Sequence, residues 1–178
     1  MNLITQILND LRVELADEFD RNFERKAFFG KPWPARRRHG KGTLMNVTGT
    51  LRRSIRARVT GTSLVFSSSE PHAAIHNEGG TITVTAKMRR FFWAKYYETA
   101  GRVRYKKSGG ASKSSIRLSQ EAEMWHALAL MKVGSKIIIP QRQFLGDAPE
   151  VRKIVSDVAA NRVKATIETV FKNQLNRH

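Results

Sequence analysis

The sequence predicts an α+β fold: a small, mostly antiparallel sheet flanked by long N- and C-terminal helices and carrying long basic loops. Three observations lead there. Apolar residues recur at three- and four-residue spacing over residues 2–27 and again beyond Ala148, the period of amphipathic helices. Short stretches between 55 and 85 alternate apolar and polar residues, the period of strands. Glycine, proline and most of the excess positive charge fall between these stretches.

The elements follow in order. In residues 2–27, Ile4, Ile7, Leu8, Leu11, Leu15, Phe19 and Phe23 share one helical face, and Gly30, Pro32 and Pro34 stop the helix. Segment 28–43 holds too many glycines and prolines for a regular element and reads as a basic arm or loop. One helical turn around Thr48–Arg53 leads into a strand through Ile55, Ala57 and Val59. Arg56 and Arg58 alternate with these residues, so one strand face is cationic. Gly61-Thr62 turns the chain into a returning strand with Leu64, Phe66 and Ser68. Glu70-Pro71 opens a short helix, His72–Asn77, ended at Gly79-Gly80, and Thr81–Thr85 is a third strand. Residues 87–100 suit a helix ended by Gly101. The Gly/Ser-rich basic run Val103–Ser115 reads as disordered loop, and Glu121–Val133 as a further helix. Ile137-Ile138-Ile139 predicts a buried strand closed by Pro140. The final helix spans Ala148–Leu175, with Val151, Ile154, Val155, Val158, Val163, Ile167, Val170 and Phe171 on one stripe.

These readings sum to a single domain over 1–178: an N-terminal helix (1–27), a basic arm (28–43), sheet with short helices (44–100), a flexible basic loop (101–120), helix and buried strand (121–146) and a C-terminal helix (147–178). The length suits one domain with its own core. At 40% hydrophobic and 26% charged residues, the composition is that of a globular chain and not of a disordered tail.

Charge narrows the partners. The chain carries 32 Lys+Arg against 15 Asp+Glu, a formal net charge of +17, which favours polyanions or acidic proteins as partners. The excess is localised: no acid lies between Glu24 and Glu70, and Glu98 alone lies between Gly79 and Gln120. The absence of cysteine excludes disulfides, thiol catalysis and Cys-based metal sites. No apolar run approaches the roughly 20 residues of a membrane span, and Asn9-Asp10 interrupts any signal-peptide pattern. The expectation is a soluble, strongly basic protein made inside the cell, with no membrane partner.

Candidate chemistry is sparse. His72 and His76 share a helical face, and Glu78 follows, so the three have metal-ligand spacing. The glutamate of a His-Glu-x-x-His site is missing, no fourth ligand stands out, and a packing or capping histidine is the simpler account. The sequence contains no Gly-x-Ser-x-Gly elbow, phosphate-binding loop or dinucleotide fingerprint. No catalytic residue, metal or cofactor is therefore expected. Polyanion or partner contact is a stronger candidate. Arg36, Arg37, Arg38 and Lys41 lie on the arm beside Trp33, and Lys106 and Lys107 on the later loop. Arg89 and Arg90, with Lys95, interleave with Phe91, Phe92, Trp93, Tyr96 and Tyr97. Aromatic residues at helical spacing are more often core or interface than base-stacking platforms. Without a compact recognition motif, the nucleic-acid reading is limited to non-specific phosphate contact.

The phrases Thr48-Gly49-Thr50-Leu51-Arg52-Arg53-Ser54-Ile55, Ala74-Ile75-His76-Asn77-Glu78-Gly79-Gly80-Thr81-Ile82 and Ile139-Pro140-Gln141-Arg142-Gln143-Phe144-Leu145-Gly146 stand out. Together, in this order and spacing, they resemble the Mu-like phage virion morphogenesis family. Gln143 stands where that family usually has proline. The arm at 28–43 and the insert around 102–120 have no counterpart in the resemblance. It implies a non-enzymatic virion protein related to tail-completion and head–tail joining proteins. It also implies a homo-oligomeric ring, often six-fold, between the portal-side connector and the tail tube or its terminator. The basic loops suit docking on acidic protein surfaces in such a ring or non-specific contact with packaged DNA. The protein would be made in the bacterial host cytoplasm and reside in the virion neck. The signature residues read as fold and interface positions: Thr48 as a cap, Gly49 for close approach, Gly79 and Gly80 for a chain reversal. Pro140 fixes a strand exit, and Phe144 and Leu145 act as anchors.

Overall fold

The computed structural model describes residues 2–35, 44–106 and 110–175, with backbone alone at 105, 106, 110 and 111. The fold is α+β, with long helices at both ends and small antiparallel ladders between them. In chain order the elements are α1 (Leu3–Arg25), β1 (Ala27–Phe28), β2 (Lys31–Pro32), α2 (Thr50–Ser54), β3 (Ile55–Thr60), β4 (Ser63–Ser68) and α3 (Ala73–Glu78). There follow β5 (Gly80–Thr83), α4 (Ala86–Ala100), β6 (Tyr105–Lys106), β7 (Gly110–Ala111), α5 (Lys113–Ala129), β8 (Lys136–Ile139) and α6 (Pro149–Leu175). The strands form separate two-stranded ladders, β1–β2, β3–β4, β5–β8 and β6–β7, all antiparallel. Among the described residues, no helix is long and apolar enough to cross a membrane. The described residues divide into two compact units. The first comprises 2–34, 44–78 and 141–175, and the second 35, 79–106 and 110–140.

In the first unit, Asn2 caps α1 by accepting from the Ile4 N–H, and Lys26 ends it in the left-handed region at φ 56°. Leu8, Leu11, Leu15, Phe19, Asn22 and Phe23 are its buried residues, so the predicted stripe is the buried face. Two aromatic clusters cover that face. Phe23, Trp33, Leu51, Ala73 and Phe144 form one; Leu15, Phe19 and Phe28 form the other, with Leu64, Phe66, Val151 and Ile154 packed against it. Each fully buried large apolar side chain is worth about 1.5–3 kcal/mol relative to exposure, so this face organises the unit. The β3–β4 ladder alternates as expected, with Arg56 and Arg58 outward and Ile55, Ala57 and Val59 half-buried.

Three expectations for this unit are corrected. The arm predicted over 28–43 begins instead as the β1–β2 hairpin and delivers Trp33 into the core, with the Trp33 N–H donating to the Lys26 carbonyl at 2.9 Å. Second, α6 has the predicted span but not a single stripe, and none of its residues is fully buried. At 100° per residue, Val151, Ile154, Val155 and Val158 lie on one side. Val163, Ile167, Val170 and Phe171 lie about 150° around the helix. The first group includes the residues packed on the α1 clusters; the second is exposed. Third, Gly49 rather than Thr48 occupies the N-cap of α2, at φ 73°.

In the second unit, α4 and α5 form a helical pair and β5 pairs with β8 from Gly80↔Ile139 to Thr83↔Lys136. Val84 continues that pairing through hydrogen bonds with Ser135 and Gly134. The flexible loop predicted over 101–120 is contradicted over much of its length. Two-residue strands β6 and β7 pair, and α5 begins at Lys113, eight residues before the predicted start at Glu121. The cause is local: Ser112 accepts from the Ser115 N–H at 3.1 Å, and the Ser115 hydroxyl donates to the Arg104 carbonyl at 2.6 Å. The same helix ends at Ala129, not Val133. Nor is β8 a buried strand. Only one face of the β5–β8 ladder is partly covered, leaving Ile138 exposed between half-buried Ile137 and Ile139.

Candidate functional site

The second and third phrases meet in the first unit. The Arg142 N–H donates to the His76 carbonyl at 2.8 Å. One residue on, the Asn77 amide oxygen accepts from the N–H groups of Phe144 and Leu145 at 2.9 and 3.0 Å. Two residues outside the phrases complete the set. The Asn22 side chain accepts from the Phe29 N–H at 3.0 Å and donates weakly to the Phe144 carbonyl at 3.4 Å. The Trp33 indole N–H donates to the Gln143 carbonyl at 2.6 Å. Residues 141–146 belong to no helix or strand, so side chains satisfy backbone groups that a ladder would otherwise pair. Phe144 is 1% exposed and packs against Phe23, ring centroids 5.3 Å apart, while Leu145 adjoins both aromatic clusters.

Arg142 is buried, and its Nε donates to the Pro34 carbonyl at 3.0 Å. A buried guanidinium needs such acceptors, because an uncompensated charge is costly away from water. Gly146 adopts φ 141°, a conformation that favours glycine, and a Cβ there would meet the Gln143 side chain at 2.5 Å. Beside this segment lies a cleft of about 220 Å³ lined by Phe28, Lys31, Pro32, Trp33, Pro34, Gln141 and Gln143. It is smaller than the roughly 300–1,000 Å³ of small-molecule sites.

The first phrase joins through α2. Leu51 enters the Phe23 cluster, and the Ser54 hydroxyl donates to the Leu51 carbonyl at 2.7 Å and bonds Ser68 at 2.6 Å. Arg52 forms a forked pair with Asp20 and reaches Glu24 at 2.8 Å, which fastens α2 to α1. Its hydrogen bonds to the Asp20 carboxylate, then to Glu24, raise its pKa above the usual arginine value. Thr48 bonds the Thr50 hydroxyl at 2.6 Å, and its oxygen accepts only loosely from the Thr50 N–H, at 3.4 Å.

His76 and His72 stack edge-on with ring centroids 5.7 Å apart, and His72 faces Glu70 at 3.5 Å. Burial, then the nearby His72 and Arg142, lowers the His76 pKa. Its Nδ1 is buried without a hydrogen-bond partner among the described residues. No group of three or more His, Asp or Glu side chains among the described residues is placed to hold a metal ion, so His72, His76 and Glu78 do not assemble as a ligand set. Ile75 lies within α3 beside them, and Gly79 adopts φ 75° at its end, as the chain reversal requires. Gly80 and Pro140 belong to the second unit, Gly80 pairing with Ile139 at the end of the β5–β8 ladder.

The candidate cationic contacts separate. Arg36, Arg37, Arg38, Lys41 and Lys107 lie outside the described residues, as does the Lys106 side chain. The Arg89 guanidinium is engaged in structure, its Nε donating to the Ala129 carbonyl at the end of α5 at 3.2 Å, whereas Arg90 is exposed. The aromatic block largely forms the α4–α5 seam. Phe92 stacks on Trp125 at 6.0 Å, and Tyr96 meets His126 at 4.8 Å; Phe91 and Tyr97 are exposed.

Sequence reasoning missed Asn22, Asp20 and Glu24, and placed Trp33 with the arm's arginines as a polyanion contact instead of in the core. Asn22 had a legible signal, since it interrupts the apolar face of α1 between Phe19 and Phe23. The prolines around Trp33 pointed to a loop.

The model of the phage virion morphogenesis family matches residues 1–164. No curated protein and no solved structure gives a significant match. The match spans all three phrases and the elements that bring them together, and the chain belongs to the phage virion morphogenesis family.

Proposed function

We propose that this virion morphogenesis protein is a structural component of the phage neck. In this reading it acts in tail completion or head–tail joining, as a homo-oligomeric ring between the portal connector and the tail tube. Family membership supports a virion assembly role. The observation that carries the structural reading is the condition of the signature residues. Asn77, Arg142, Phe144, Leu51 and Ser54 are engaged with backbone or core, and none presents a nucleophile beside a base. Such residues shape a scaffold; they do not carry out a reaction. Virions from which the gene is deleted should accumulate as unjoined heads and tails, and the protein should be found at the neck by imaging of complete particles. Its absence from purified particles would overturn the reading.

A second reading, non-specific contact with nucleic acid, is favoured by one observation: Arg56 and Arg58 project outward from the same ladder face. It predicts DNA binding that weakens steeply with salt, and Arg56→Ala with Arg58→Ala should flatten that dependence by roughly one unit of slope for each phosphate left without its cation. Binding that is unaffected by both substitutions would exclude this face.

A further inference from the structure

One end of the second unit gathers cations that no acid of the chain answers. At the start of α4, three of the first five residues are basic: Lys87, Arg89 and Arg90. The connection from α5 to β8 adds Lys132, and β8 opens on Lys136. Backbone pairing holds these segments together. Thr83 and Lys136 are partners in the β5–β8 ladder, the Val84 N–H donates to the Ser135 carbonyl at 2.8 Å, and the Ser135 N–H donates to the Lys132 carbonyl at 3.0 Å. The Arg89 Nε donates to the Ala129 carbonyl at 3.2 Å, so this guanidinium answers the negative end of α5. Lys87, Arg90, Lys132 and Lys136 remain, and all four are exposed.

We propose that these four side chains form a contact site for the phosphates of duplex DNA. The inference takes its class of partner from the nucleic-acid reading above and places the contact on a different face. Three observations carry it. The first is charge. The chain as a whole has 32 basic residues to 15 acidic ones, but no Asp or Glu lies in 79–97 or 124–140. All fifteen acids fall among the described residues, and none pairs with these four cations. The second is position. Cations at the start of a helix oppose its positive end, so Lys87 and Arg90 do not serve the stability of α4. A polyanion held outside removes that conflict. The third is residue type. Three of the four are lysines, which neutralise phosphates readily and are depleted from protein–protein interfaces. The exposed apolar side chains nearby, Leu130, Val133 and Ile138, alternate with Lys132 and Lys136 along the chain, unlike the apolar centre of a protein interface.

The test uses the full chain and a fluorescently labelled duplex of mixed sequence. In low salt the wild type should bind it at micromolar concentration or tighter, and the logarithm of the binding constant should fall steeply with that of salt. Lys87→Gln, Arg90→Gln, Lys132→Gln and Lys136→Gln together should weaken binding about tenfold or more and flatten that slope by roughly three to four units. Lys132→Gln with Lys136→Gln alone should flatten it by about two units. Lys164→Gln with Lys172→Gln removes the same charge from exposed positions of α6 and should leave the slope as it is. Every variant should keep the circular dichroism of the wild type. Lys87→Gln with Arg90→Gln should melt no lower than the wild type, because it relieves the start of α4. A wild type that does not bind the duplex would overturn this inference together with the nucleic-acid reading. Binding that survives the four substitutions, or that the α6 pair weakens as much as Lys132→Gln with Lys136→Gln, would overturn the site alone and leave that reading standing. Displacement of the duplex by poly-glutamate at equal charge concentration would assign the face to acidic proteins and overturn its assignment to DNA.

Discussion

The side chain of Asn77 closes a turn of backbone that is 67 residues away: its amide oxygen takes the N–H groups of both Phe144 and Leu145. One side-chain acceptor thus satisfies two consecutive donors beside a nearly inaccessible phenylalanine. Removing it strands both. Asn77→Ala is expected to destabilise the first unit by about 2–4 kcal/mol, from an unsatisfied-donor cost of roughly 1–3 kcal/mol each. Asn77→Asp, which keeps an acceptor in place near the Arg142 cation, should lose less. Urea denaturation of the two variants checks the order, and equal losses would show that the acceptor is not what matters.

Arg52 ties α2 to α1 through Asp20 and Glu24, with its side chain 24% exposed and the acids considerably more so. Solvent screening limits the value of such a network, and Arg52→Ala should cost only about 0.5–1.5 kcal/mol. Arg52→Lys should recover little of that, because an ammonium cannot fork across Asp20 while reaching Glu24. The difference between wild type and variants should shrink in high salt, measured as the shift in denaturation midpoint.

Stability should depend on the protonation of His76. Its folded pKa is held below the ordinary histidine value of about 6.5, by burial first and then by His72 and Arg142. The unfolded chain therefore takes up the proton before the folded one does. The contribution of neutral His76 is complete above roughly pH 6.5, and it declines as pH falls from there toward the folded pKa. The other ionisable groups facing this corner are Glu70, paired with His72, and Glu78 at the end of α3. Melting temperatures taken between about pH 7.5 and 5.5 should fall, and His76→Gln should flatten the decline. An unchanged slope in that variant would assign the effect elsewhere.

Trp125 buries an indole N–H with no acceptor among the described residues, while its ring stacks on Phe92 and meets Phe91 edge-on. Its value is therefore in the ring. Trp125→Phe should be nearly neutral, since it removes an unsatisfied donor together with some apolar area. Trp125→Ala should cost about 3–5 kcal/mol. Thermal melts separate the two, and a Phe variant as damaged as the Ala variant would reveal a hidden partner for the nitrogen.

What was legible in the sequence depended on whether an element's cues were local. The β3–β4 hairpin was readable because alternation and Gly61-Thr62 sit within it, and α1 because its apolar residues recur along most of its length. The start of α5 was hidden: Lys113, Ser114 and Ser115 look like linker, and the Ser112 cap is evident only once Ser115 is seen to turn back on it. The Ile137–Ile139 run looked buried because three isoleucines suggest two covered faces, and only one face of this strand is partly covered. For α6 the residue types were right, but the single stripe was not, and the 100° step already splits the two groups in the sequence. Only which side α1 covers lies beyond any local window. The signature phrases announced the candidate site without its supports. Asn22 and Trp33 act through backbone groups more than a hundred residues away.

That separation has a temporal consequence. Asn22 and Phe144 are 122 positions apart, and the aromatic face of α1 emerges from the ribosome long before Phe144, Val151 and Ile154 exist to cover it. Residues 79–140 draw their pairings from within themselves and can close while the chain is still growing. The first unit cannot, and its pairings of long sequence separation make it the slower to form. A nascent chain stalled before residue 141 should expose Phe19 and Phe23 to proteases and holdases, and completion of the segment 141–154 should be the event that ends this vulnerability.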